Sequence, residues 1–201
     1  FGERADEVRK LGPRDLAVCQ VQGGRGATTV GATITVCRAA GIAVMGTGGI
    51  GGVHRGFPHP PDISADLGAL ARIEVVVVSA GVKSILDVPA TAELLETLGV
   101  PVLGWRTDTL PLFYTADGGP PVSARVETAW EVAAIASAHW HLGGGGLLVA
   151  RAPDRSLPGI EDLITQAITA AEQAGATGQA VTPFILEWLH ANSDGATLAA
   201  N

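Results

Sequence analysis

The chain has 201 residues, a formal net charge of −7, 47% apolar and only 16% charged residues, with a mean hydropathy of +0.31. That is too apolar for a disordered segment and ample for a sizeable core. The acidic balance excludes a general nucleic-acid binder, and no apolar run approaches the roughly eighteen residues of a membrane span. The N-terminus is polar and carries neither a start Met nor a signal-type apolar region.

In chain order, β-branched apolar runs predict strands over 15–21, 42–45, 73–79, 100–105 and 146–150. The four valines at 75–78 are apolar towards both faces, as a central strand covered on both sides requires. Between these runs lie helical patterns. Residues 27–40 place Val30, Ile34, Cys37 and Gly41 on one face. Residues 91–98 stop at Gly99 with Pro101 beyond. Residues 130–142 and 160–174 are amphipathic, the second ending at Gly175. The four glycines at 143–146 read as a turn into a strand, and 117–121 as a surface loop. The alternation predicts one domain over 1–201, a three-layer α/β/α sandwich with a mostly parallel central sheet. Its working site is expected beyond the carboxyl ends of the strands. Cys19 and Cys37 form no metal or redox spacing and read as buried thiols in a reducing, cytoplasmic setting.

Three segments that follow strands carry candidate chemistry. Residues 47–56 are glycine-rich, so backbone N–H groups can approach an anion and Arg55 can add a charged fork. A plain turn is the alternative. Residues 62–66 put Asp62 and Asp66 on one face if a helix starts there. Asp62 is then either an N-cap or a hard oxygen ligand suited to Mg²⁺ or Mn²⁺. Residues 79–87 contain Lys83, one of only two lysines among thirteen basic residues. Apolar neighbours disfavour its ammonium and raise the neutral amine fraction needed for Schiff-base chemistry. Alternatively its stem packs on apolar surface while the charge reaches water.

Together, RDL at 14–16, GATTV at 26–30, TGGIGGVHRG at 47–56, DISADL at 62–67, AGVKSILD at 80–87, LETLGVP at 95–101 and TPF at 182–184 carry a resemblance along essentially the whole chain. The sequence resembles the pseudouridine-5′-phosphate glycosidase, or indigoidine synthase A-like, family. The resemblance implies reversible cleavage of the C–C glycosidic bond of pseudouridine 5′-phosphate to uracil and ribose 5-phosphate. It implies a homotrimer that uses Mn²⁺ or a similar divalent cation. It makes Lys83 the nucleophile, forming an imine with ring-opened ribose phosphate; the carbon leaving group has no heteroatom, so an iminium is what permits its rupture. Asp62 is then the metal ligand, Ser64, Ala65 and Asp66 the substrate-binding stretch, Lys10 a substrate contact, and Val30 a contact through its backbone. Both lysines thus fall on functional positions. His54 and Arg55 are assigned to phosphate or loop anchoring.

The remaining candidates have plainer readings. His59, His139, His141 and His190 are taken as surface or capping groups, and the tryptophans at 105, 130, 140 and 188 as core or interface packing. Glu161 and Asp162 suit the first turn of a helix. The resemblance also implies a family region before Phe1 that holds a proton-donor glutamate; Glu3 and Glu7 lie too close to Lys10 to be that group. Asn201 aligns with a substrate-positioning asparagine, and a further helix follows it in the family. Gly144, Arg151 and Gln179 stand where Asn, Asn and Lys are usual. The alternatives are therefore a catalytically impaired fragment, a sugar-phosphate-binding subunit, or an aldolase-like Schiff-base enzyme acting on another sugar phosphate.

Overall fold

The computed structural model describes residues 8–55, 62–157 and 159–200. The polar N-terminal stretch with Glu3 and Glu7, the proline-rich stretch with His59, and Asn201 lie outside the described residues.

In chain order the elements are β1 (Val8–Leu11), α1 (Leu16–Val21), β2 (Arg25–Thr28), α2 (Val30–Ala40), β3 (Val44–Gly46), β4 (Val53–His54), α3 (Ala65–Leu70), β5 (Val76–Ser79), β6 (Leu86–Asp87), α4 (Val88–Thr97), β7 (Val102–Trp105), β8 (Ala124–Val126), α5 (Ala129–His141), β9 (Leu147–Arg151), α6 (Ile160–Gln173), α7 (Val181–Asn192) and α8 (Ala196–Ala200). The valine run supplies the middle of the main sheet. Its order is β3-β5-β9-β7-β8, and every pairing is parallel.

Side chains alternate across a strand, and the two sheet faces feed two cores. Val77, Leu148 and Ala150 face the larger one, with Ile34 of α2, Leu95 of α4, Ile164 of α6 and Leu189 of α7. Val76, Leu103, Leu147 and Val149 face the smaller one, with Ala136, Val132 and Ile135 of α5. The three layers expected from the sequence are present, with α5 as the third. The run of valines is buried on both faces because both faces carry helices.

Several elements differ from the pattern reading. Residues 15–21 form no strand. Pro13 opens a 3₁₀ turn, Asp15 accepts a hydrogen bond from Gly12 N at 2.8 Å, and α1 follows. The alternating apolar residues misled: Val18 and Val21 are exposed and only Cys19 is buried. The helix predicted over 27–40 starts later, because residues 25–28 pair with β1 and Thr29 caps α2 by accepting from Ala32 N. Gly41 is not on that helix's packed face; it is the left-handed C-cap, with φ 69°. Asp62 is not an N-cap either. Ser64 holds that position for α3 and accepts from Asp66 N. His139 is no surface or capping group: its ring packs on Gly144, and its Nε2 is buried without a hydrogen-bond partner. Of the tryptophans, Trp130 is exposed, whereas Trp140 donates to Gly145 O at 2.8 Å.

Candidate active site

The loops after β3 and β5 do not separate at the end of the sheet. Thr47 N donates to Val78 O, Ala80 N to Gly48 O, Ile50 N to Gly81 O and Lys83 N to Ile50 O, at 2.9 to 3.2 Å. The parallel pairing therefore continues, irregularly, for several residues beyond the strands. It delivers the glycine-rich loop and the lysine turn side by side at the carboxyl end of the sheet, where open α/β sheets place their ligands.

Asp66 ties a third segment to this pair. Its buried carboxylate accepts from Gly31 N at 2.6 Å with Oδ1 and from Gly51 N at 2.8 Å with Oδ2. One side chain thus joins the first turn of α3, the first turn of α2 and the glycine loop. Gly51 is obligatory in this arrangement, since a Cβ there would collide with the Ser64 side chain and come within 2.8 Å of Asp66 Oδ2. Ser64 N in turn donates to Gly52 O at 2.9 Å.

These contacts frame a cavity of about 1430 Å³ whose lining includes Lys10, Val30, Asp62, Ser64, Ala65, Asp66 and Lys83. All seven residues singled out from the sequence meet in it. Thr28, Thr29, Thr47, Gly48 and Gly49 add hydroxyl and backbone groups, and Phe113 and Leu186 add apolar surface. Asp62 is half-exposed, with its Oδ2 lying 3.7 Å from His54 Nδ1. Among the described residues no three His, Cys, Asp or Glu side chains converge as a metal cage.

Lys83 is partly buried, and burial pushes its amine below the ordinary lysine range. Asp66 opposes that displacement through its negative charge, and Lys10 reinforces it through its positive one. A lysine whose ammonium is disfavoured is a competent amine nucleophile.

Residues 1–201 match the family described as "Indigoidine synthase A like protein". The chain belongs to this family. Its curated relatives include the pseudouridine-5′-phosphate glycosidases of Herpetosiphon aurantiacus, 46% identical over 98% of this chain and 67% of that one, and of Streptomyces griseus, 50% identical over 96% of this chain and 62% of that one. The chain thus spans about two thirds of the length of these relatives. Among solved structures it is similar to the prealnumycin C-glycosynthase AlnA in complex with ribulose 5-phosphate, at 39% identity and a TM-score of 0.88, covering 98% of this chain and 67% of that one. It is also similar to an indigoidine synthase A-like protein of Thermotoga maritima, at 38% identity and a TM-score of 0.87.

Within this indigoidine synthase A-like site, one residue escaped the sequence reading and another had its role left between two alternatives. Phe113 is buried, has a left-handed backbone with φ 66°, and sets its ring 2.5 Å from where a Cβ of Gly49 would stand. Nothing in the sequence signals a left-handed phenylalanine. Arg55 is the other: of phosphate and loop anchoring, its guanidinium takes the second, donating to the carbonyls of Ser84 and Leu86. It lines not the lysine cavity but a neighbouring one of about 480 Å³.

Proposed function

We propose that the protein cleaves, reversibly, the C–C bond between C1′ of ribose 5-phosphate and C5 of uracil in pseudouridine 5′-phosphate. The observation that carries this reading is the convergence of Lys83, Lys10, Asp66 and Asp62 on one cavity, with the Lys83 amine displaced towards its neutral form. The named activity of the curated relatives and the sugar phosphate bound by the C-glycosynthase support it.

The neutral Lys83 amine attacks C1′, the C1′–O4′ bond breaks, and a proton passes from the new ammonium to O4′, which restores the nitrogen lone pair. A proton then adds to C5 of the base, using its C5=C6 electron pair. When the C1′–C5 bond breaks, its electrons restore that double bond and the nitrogen lone pair closes a C=N⁺ bond at C1′. Water hydrolyses this iminium, releasing ribose 5-phosphate and returning the amine. Lys83 is the catalytic residue. Lys10 sits on the same cavity wall as a cation for the substrate's oxygens, and Val30, Ser64 and Ala65 present backbone groups at helix first turns.

The donor set fits a hydrated divalent cation of the Mn²⁺ or Mg²⁺ type, for which one or two carboxylates suffice when water and phosphate oxygens complete the shell. Asp62 would hold it, and the bound cation would supply positive charge against the phosphate. We further propose a homotrimer, which the family resemblance implies, in a reducing, cytoplasmic setting, a reading supported by the free thiols of Cys19 and Cys37. No helix among the described residues is long and apolar enough to cross a membrane.

The test is reductive trapping. Borohydride added to protein and ribose 5-phosphate should leave a stable adduct at Lys83, located by peptide mass spectrometry, and Lys83→Ala should abolish it. Absence of any adduct on the wild-type lysine would overturn the reading. Uracil-dependent formation of pseudouridine 5′-phosphate separates it from an aldolase-like reaction on another sugar phosphate.

A further inference from the structure

We propose that Arg55 is a positioning residue that braces the Lys83 turn from behind, a role that rests on the Schiff-base reading above. Arg55 follows β4, and its guanidinium turns away from the lysine cavity. Its Nη2 donates to Ser84 O at 2.7 Å and its Nε to Leu86 O at 3.4 Å. These carbonyls lie one and three residues beyond Lys83. The same Nη2 stands 3.6 Å from Glu161 Oε2, in the first turn of α6. The fork therefore spans the turn and anchors it to a fourteen-residue helix.

The turn needs such a brace. Lys83 lies in neither a helix nor a strand, and β6, which follows it, has two residues. From the front, Lys83 N is held by Ile50 O, and Ser84 Oγ donates to Leu112 O. From the back, Arg55 alone of the described side chains donates to the carbonyls of both Ser84 and Leu86. A planar guanidinium offers several donors in a fixed fork, whereas an ammonium is a single point. Lysine at position 55 can keep the charge but cannot hold both carbonyls in the same geometry.

The readout is the rate of Lys83 trapping at saturating ribose 5-phosphate, compared with the sugar-phosphate concentration giving half that rate. A misplacement of about 1 Å costs on the order of 10²-fold in rate. Arg55→Ala and Arg55→Lys are expected to slow trapping by about tenfold or more, with the half-saturating concentration and the pH midpoint unchanged. The adjoining cavity of about 480 Å³ gives a small guanidinium access to the vacated space. Millimolar ethylguanidinium should therefore restore the rate of Arg55→Ala while leaving wild type and Lys83→Ala unaffected. Amide hydrogen exchange over residues 83–87 should accelerate in Arg55→Ala, and this reads the brace without any chemistry.

Wild-type trapping rates in the folded Arg55→Lys variant would overturn the proposal. So would a slowing that lies wholly in half-saturation, which would make Arg55 a binding group, or a failure of ethylguanidinium to restore a folded Arg55→Ala. Loss of the adduct in wild type itself would sink the functional reading instead. Exchange over 83–87 would then still decide the brace, faster exchange in Arg55→Ala supporting it and unchanged exchange overturning it.

Discussion

At the scale of single residues, the site turns on how three charges share one cavity. The Lys83 ammonium is disfavoured by burial and by Lys10 and favoured by Asp66. Lys10→Met removes a like charge, so the Lys83 amine should titrate at higher pH. The midpoint of the trapping rate against pH should move upwards, and a downward or absent move would count against the coupling. The sign for stability follows from the same displacement. Folded Lys83 releases its proton at lower pH than the unfolded lysine, so the unfolded state binds more protons across that interval and Lys83's contribution to stability rises with pH there. Gly49→Ala is a steric probe of the same wall. Its Cβ would meet the Phe113 ring at 2.5 Å, and overpacking of this kind costs about 1–3 kcal/mol, to be read as a lowered melting temperature. The positions of Lys83 and Asp62 were legible because their motifs are local strings. The loop that Arg55 anchors and the backbone of Phe113 were not, because both depend on where distant segments meet.

At the scale of elements, capping decided more than apolar spacing did. Thr128 Oγ1 accepts from Glu131 N at 3.2 Å, and Glu131 accepts from the backbone of Glu127 and Thr128 at 2.7 and 2.9 Å. Those bonds hold the Glu131 carboxyl below the usual carboxylate range. Thr128→Ala should cost about 0.5–2 kcal/mol by chemical denaturation. Trapping at Lys83 should be unaltered, since α5 lends no side chain to the cavity. Helices with clear start and stop signals were legible: the expected 130–142 and 160–174 appear as Ala129–His141 and Ile160–Gln173. α1 was not, because in six residues a strand-like alternation and a helical one cannot be told apart. α7 carries Pro183 in its first turn, where a missing N–H breaks no intrahelical bond.

At the scale of the whole molecule, the sheet's middle strands carry both cores. Leu148 is fully buried between α-helical partners, and Leu148→Ala should lower stability by about 2–5 kcal/mol. The layer order was legible from the four valines, whereas the strand order β3-β5-β9-β7-β8 was not, because parallel neighbours need not be neighbours in the chain. That wiring has a kinetic side. Val76 pairs with Leu147, about seventy positions downstream, and non-local contacts of this kind slow folding. On the ribosome, β5 can pair with β3 at once, but its other edge stays open until β9 emerges, and a chaperone has that bare edge to shield through the intervening synthesis.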